Sequence, residues 1–95
     1  MKFERLSRVH DGKHKYMAVF NDHGKVKKVL FGSYGMDDYT LTGDKLQRDR
    51  YRARHKKDLE TGDPTRAGYL SYYILWGDST NIQTNLRHYI HKFHL

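Results

Sequence analysis

The sequence predicts a small α+β domain: an antiparallel β-hairpin or three-stranded meander over residues 1–31, followed by two to three α-helices. Three observations carry this expectation. Tyr16-Met17-Ala18-Val19-Phe20 and Val26-Lys27-Lys28-Val29-Leu30-Phe31 flank Asn21-Asp22-His23-Gly24-Lys25, whose Asn, Asp and Gly take the positive φ angles of a hairpin loop. Asp63-Pro64 has the chemistry of a helix start, because Asp accepts from orphan amides and Pro fits the first helical position. Ile82, Leu86, Tyr89, Ile90 and Phe93 fall within about a third of a helix circumference.

The elements follow in order. A first strand, Phe3 to Val9, alternates in part and ends at the turn signal Asp11-Gly12. Gly32 to Gly43 is too rich in glycine and small polar residues for a helix and is expected to be a crossing loop, the kind of segment that often carries function. An arginine-rich helix over 44–58 follows, capped by Asp44 or Thr42, with Leu46, Tyr51 and Ala53 as its apolar anchors. Residues 64–76 should form a buried helix ending at Gly77. Asp78, Ser79 or Thr80 then caps an amphipathic helix over 80–94. With no internal repeat, low-complexity tract or linker, residues 1–95 are expected to be a single domain.

Composition narrows the function classes. A chain of 95 residues lies near the lower end of sizes that fold unaided, so a deep enzyme cleft is not expected. A formal charge of +7 and a pI near 9.7 exceed what solubility requires and favour an anionic partner over a merely basic surface. The absence of cysteine excludes disulfides, thiolate nucleophiles and cysteine zinc sites, and suits a reducing compartment. The longest apolar-rich stretch, Tyr69 to Trp76, is far short of the ~20 residues that span a bilayer. Met1-Lys2-Phe3-Glu4-Arg5 lacks the apolar core of a signal peptide. A soluble, intracellular protein with no membrane partner is expected.

The strongest functional clue is Arg48-Asp49-Arg50-Tyr51-Arg52-Ala53-Arg54-His55-Lys56-Lys57, which holds six of the chain's 18 Lys and Arg. On a helix, Arg48, Arg52 and His55 or Lys56 make one ridge, and Arg50, Arg54 and Lys57 a second. Arginine suits bidentate phosphate or carboxylate contacts. Six such contacts would give a salt slope of about −5, roughly a thousandfold loss of affinity between 50 and 200 mM salt. The competing interpretation is a solvated face balanced by Asp44, Asp49, Asp58 and Glu60, since seven cations against these four acids leave residues 44–60 at +3.

Other constellations are weaker. Lys13, Lys15, Lys25, Lys27 and Lys28 form a second basic group on the hairpin, but Lys27 and Lys28 point to opposite faces. Tyr16 or Phe31 could stack unpaired bases, although a core position suits them better and no RNA-recognition sheet motif is present. His88, His91 and His94 lie opposite the apolar face of the last helix. With no cysteine and no carboxylate in that helix after Asp78, they are expected to form a basic ridge rather than a metal site. Asp37-Asp38 would be the carboxylates of a hydrolytic metal site, but capping, turn hydrogen bonds or a salt bridge to the arginines are the simpler use. Gly32-x-x-Gly35 is too short for a phosphate loop and lacks its Lys-Ser or Lys-Thr.

Met17-Ala18-Val19-Phe20, Phe31-Gly32 with Gly35, Asp38-Tyr39-Thr40, Arg50-Tyr51, Arg54-His55-Lys56-Lys57, Ala67-Gly68-Tyr69-Leu70-Ser71 and Ile74-Leu75-Trp76 together form a pattern. It resembles a family of small, basic, functionally uncharacterised proteins encoded by large DNA viruses of eukaryotes and algae. The resemblance implies a viral setting, either a genome-associated protein in the virion or a small component of the particle. It carries no catalytic residue across.

The expectation is therefore electrostatic binding of viral nucleic acid, DNA more than RNA, with little sequence selectivity, in the virion or in host cytoplasm or nucleus. Arg48, Arg50, Arg52, Arg54, Lys56 and Lys57 would contact phosphate, Tyr51 would stack or support, and Lys27, Lys28 and Arg87 would be auxiliaries. No catalytic residue, metal or cofactor is assigned, and a homo-oligomer is left open. The alternative is a virion structural protein, a small minor capsid, cementing or adaptor component, whose arginines pair with acidic surfaces of neighbouring proteins and whose Trp76 or tyrosines anchor the contact. A third reading is a small metal-dependent nuclease using Asp37, Asp38 and His55.

Overall fold

Local turn chemistry sets the sheet. The computed structural model describes all 95 residues. It opens with three strands, β1 (Lys2–Arg8), β2 (His14–Asp22) and β3 (Lys25–Ser33), paired antiparallel in the order β1-β2-β3. Asp22 pairs with Lys25, so the hairpin loop is His23-Gly24 alone. Both loop residues have positive φ, 51° and 89°, and the Asn21 side chain accepts from the Gly24 amide at 2.8 Å. That pairing of left-handed residues matches the right-handed twist of the strands it joins. The β1–β2 turn is fastened by Asp11, which accepts from the amides of Lys13 and His14 and from the His14 ring. These bonds hold its carboxyl below the ordinary carboxylate range. A bulge between Phe3 and Arg5 shifts the β1 register.

The helices cover one face of this sheet, giving the expected small α+β architecture. A short helix α1 (Tyr39–Thr42) precedes α2 (Lys45–His55), which tightens into a 3-10 segment, Lys56–Thr61. Helix α3 (Ala67–Leu70) continues as a π-helical turn, Ser71–Leu75, and α4 (Ile82–Lys92) closes the fold. Tyr16, Ala18, Phe20 and Phe31 from the sheet meet Leu70, Ile74, Leu75, Trp76, Leu86 and Tyr89 in one cluster. Tyr16 and Phe31 stack on each other inside it, 8 % and 1 % exposed, so neither offers a ring to a base.

Several boundaries differ from expectation for identifiable reasons. The segment 32–43 is not all loop: the Asp38 side chain accepts from the Thr40 amide and starts α1, and Gly43 ends it at a φ of 65°. Asp63 does not cap the helix: it accepts from the Thr65 amide and hydroxyl, making a turn before α3, which begins at Ala67 with no side-chain cap. Pro64 therefore lies in that turn rather than at the first helical position, and its carbonyl accepts from the buried Tyr89 hydroxyl. The cap of α4 is Asn81, not Asp78, Ser79 or Thr80. Leu46 and Ala53 are exposed, which leaves Tyr51 as the one apolar anchor expected of α2 that faces the core.

Two packing details place the site. Gly32 has a φ of 78°, and a Cβ there would sit 2.8 Å from the Leu75 Cδ1 atom and 3.2 Å from the Lys15 Cβ, so both the backbone conformation and the close approach of β3 to the π turn favour glycine. Buried Asn85 donates to the carbonyls of Ile74 and Ser79 and accepts from the Ser79 amide, satisfying the backbone where the π turn ends.

Candidate nucleic-acid interface

Helix α2 buries none of its residues, so it is held by the polar and aromatic contacts of one face. Asp44 caps it, accepting from the Gln47 amide at 3.0 Å. The Arg52 Nε donates to the Trp76 carbonyl at 2.7 Å and its terminal nitrogen to Asp78 at 2.9 Å. The Arg48 guanidinium lies 4.7 Å from the centre of the Tyr39 ring and pairs with Asp49, its side chain only 14 % exposed. The Tyr51 ring is sandwiched between Trp76, at 4.2 Å and 7°, and His55, at 4.1 Å and 21°. Burial, with the Asp58 carboxylate nearby, pushes the Tyr51 phenol up, so the ring is neutral at physiological pH.

These contacts divide the arginine segment. The Arg48–Arg52 ridge is spent fastening α2 to α1 and to the end of the π turn, and Tyr51 has both faces covered. Arg50, Arg54, Lys56 and Lys57 are exposed and form no ion pair. They sit at the C-terminal half of α2 and just beyond it, where cations also complement the helix dipole. Lys27 is held by Thr65 at 2.7 Å and lies 3.8 Å from Asp63. Lys28, paired across from Val19, is exposed on the sheet face turned away from the helices. Arg87 is exposed on α4 and reaches only the Thr84 hydroxyl. The six arginine-segment cations thus reduce to four that are free, while Lys27, Lys28 and Arg87 lie on other surfaces or in other contacts.

A cleft of about 570 Å³ runs between the Gly32–Asp38 segment and α2. Gln47, Tyr51, Arg54 and His55 form the helical wall, Ser33, Asp37 and Asp38 the opposite one, and Ser71, Leu75 and Trp76 also line it. A second cleft, about 530 Å³, lies on the other side of Lys15 and Asp38, which line both. The Lys15 Nζ meets Asp38 Oδ2 at 2.6 Å, with side-chain exposures of 13 % and 3 %. Sequence reasoning placed Lys15 in a surface cluster and missed this pair, because the partners lie 23 residues apart.

Asp37, Asp38 and His55, the residues of the nuclease reading, therefore do line one cleft. Asp38 spends Oδ1 on the Thr40 amide and hydroxyl and Oδ2 on Lys15, however, and His55 is bonded to Asp58 at 2.9 Å. No three His, Asp or Glu side chains converge on a common point. His88 and His91 are exposed on α4, whereas His94 lies beyond its end at Lys92 with a φ of 55°, so the three do not form the expected helical ridge. No helix is long and apolar enough to cross a membrane.

The Arg52 bond holds the Asp78 carboxyl below its ordinary range, outweighing the opposing effect of burial. A depressed folded-state pKa means that this contribution is complete above the unfolded value of about 3.9 and is lost as pH falls through the folded value. Acid titration of stability by circular dichroism should show a shallower loss below about pH 4 in Asp78→Asn than in the parent. The difference will be small, because Asp78 is 81 % exposed.

No curated protein and no solved structure matches the chain. A family model, described as a family of unknown function (DUF5754), matches residues 4–55. That stretch takes in nearly all of the sheet, the Gly32–Asp38 wall with the Lys15–Asp38 pair, and α2 through His55. Covering more than half of the 95 residues, the match shows that the chain belongs to the DUF5754 family.

Proposed function

We propose that this chain binds nucleic acid electrostatically, DNA in preference to RNA, with little sequence selectivity, as a genome-associated component of a virion. The observation that carries the proposal is the set of four exposed, unpaired cations, Arg50 and Arg54 in the C-terminal half of α2 and Lys56 and Lys57 in the 3-10 segment that follows it, in a chain with net charge +7. Phosphate contact by four cations corresponds to a salt slope of about −3.6, roughly a hundredfold loss between 50 and 200 mM salt. The viral setting rests on the sequence resemblance, and the preference for DNA comes with it.

Fluorescence anisotropy of a labelled random-sequence duplex and its single strand across a salt series tests the proposal. Charge reversal at Arg50 and Arg54 together should weaken binding to all sequences alike by about a hundredfold or more and bring the slope to about −2 or shallower. No binding by the parent protein at low salt sinks the proposal. Cleavage of the probe with Mg²⁺ or Mn²⁺, lost in Asp37→Ala, would turn the assignment to the nuclease reading.

One observation favours the structural-protein reading. Tyr34, Met36 and Leu41, at 67 %, 64 % and 68 % exposure, line the second cleft and give it an apolar rim of the kind partners bury. Retention of the protein in particles stripped of genome by nuclease would support that reading over nucleic-acid binding.

A further inference from the structure

Trp76, Tyr51 and His55 form a continuous stack that runs from the core to the surface. Trp76 is 7 % exposed, Tyr51 is half-buried, and the His55 side chain is 40 % exposed where it lines the cleft. The bond from its Nδ1 to Asp58 fixes the rotation of the imidazole, and the ring face away from Tyr51 carries no aromatic neighbour. A near-parallel column of three rings thus ends in an imidazole that is 40 % exposed and lines the cleft. The unpaired Arg54 stands beside it on the same helical wall, as does Gln47, and Asp37 lies across the cleft.

A second feature points to this place. The turn behind the stack, Ser71–Leu75, is π-helical, closed by the Trp76 amide donating to the Ser71 carbonyl at 3.0 Å. Such turns are rare and recur at functional sites. Here it supplies Ser71 and Leu75 to the cleft, with Trp76 following at once.

We infer that the cleft seats one unpaired nucleobase of a single-stranded nucleic acid, stacked on His55 as the fourth ring of the column, with an adjoining phosphate on Arg54. This deepens the nucleic-acid reading and rests on it. A base is the partner that uses both features, since every base presents a flat π-face beside an anionic backbone. An acidic protein surface would use Arg54 and leave the imidazole face idle. A duplex keeps its bases stacked on one another and cannot offer one without unpairing it. Recognition by stacking is tolerant of sequence, and the volume of about 570 Å³ falls within the range of small-molecule pockets.

The test uses the full chain and a single-stranded oligonucleotide carrying the fluorescent base 2-aminopurine, with a duplex of the same length for comparison. Binding should quench the 2-aminopurine emission and favour the single strand. His55→Ala should weaken single-strand binding by about five- to a hundredfold, leave duplex binding unchanged and abolish the quench. His55→Phe should restore both, which a merely structural loss of the Asp58 contact would not do. Equal affinity for both strand forms with no quench, or a single-strand preference untouched by His55→Ala, overturns the inference. Salt-dependent binding that still responds to Arg50 and Arg54 reversal would then leave the electrostatic reading standing. Binding to neither form overturns both.

Discussion

Replacing Asp38 by alanine is expected to destabilise the protein by about 3–5 kcal/mol, because it removes the counter-charge of the Lys15 ammonium, 13 % exposed, and leaves it only the Met36 carbonyl. The same carboxylate caps α1 through the Thr40 amide, a contribution of about 1 kcal/mol that the substitution also removes. A domain of this size has roughly 5–15 kcal/mol in total, so the variant should melt far below the parent. Two companions separate the causes. Asp38→Asn keeps an acceptor for Thr40 but loses the charge, so it should be destabilised through Lys15 alone. Adding Lys15→Met to Asp38→Asn should recover most of that loss, since exchanging a buried ion pair for neutral groups is often close to neutral. Urea denaturation of the parent, Asp38→Asn, Lys15→Met and their double variant closes the cycle and gives the coupling directly. An Asp38→Ala cost under about 1 kcal/mol would mean that the pair is solvated rather than buried.

The pair matters beyond stability because it stands between the two clefts and shapes a wall of each. Its loss should loosen the Gly32–Asp38 segment that faces His55 and Arg54. An effect of Asp38→Asn on single-strand binding, with duplex binding intact, would therefore trace to the shape of the cleft and not to charge in the phosphate-contacting set.

What the sequence revealed of this fold was whatever depends on neighbours a few residues apart. That β2 and β3 form a hairpin follows from turn chemistry, although its loop is His23-Gly24 and not the whole of Asn21–Lys25, and the inner face of α4 follows from 3.6-residue periodicity. Both were legible for that reason. Helix α1 was not, since its four residues lie in a glycine-rich stretch and its cap is steadied by a lysine on β2. The Asp63-Pro64 signal was genuine in its chemistry but ambiguous in its use, because an aspartate that accepts from the amide two residues on makes a turn as readily as a helix. The arginine segment shows the limit most clearly. Arg52 and Arg54 are indistinguishable in composition, and only contacts with the Trp76 carbonyl and Asp78, 24 and 26 residues away, consign one to the scaffold and leave the other free. His55 as the end of an aromatic column was invisible for the same reason, since the column starts from Trp76.

Gly77→Ala should be at least as damaging as Asp38→Ala, and for a reason of space alone. A Cβ there would lie 2.3 Å from the Tyr73 carbonyl oxygen, 2.7 Å from the Asn85 Cγ atom and 2.9 Å from its Nδ2. The first of these is backbone, so no side-chain rotation relieves it, and a cost of about 3 kcal/mol or more is expected. Asn85→Ala attacks the same junction from the other side. It leaves the Ile74 and Ser79 carbonyls and the Ser79 amide without their partner, at about 1–3 kcal/mol for buried groups so stranded. Combining the two should cost less than their sum, because removing the Asn85 amide relieves two of the three close contacts. The double variant should nevertheless stay well below the parent, because the clash with Tyr73 persists. Gly35→Ala provides the contrast: nothing lies within 4 Å of a Cβ there, and only its φ of 81° opposes the substitution, at about 1–2 kcal/mol. Thermal melts that rank Gly77→Ala well below Gly35→Ala would establish that the end of the π turn is set by packing. Because Trp76 precedes Gly77 and begins the stack that ends at His55, the same variant should also lose the single-strand preference even where it remains folded.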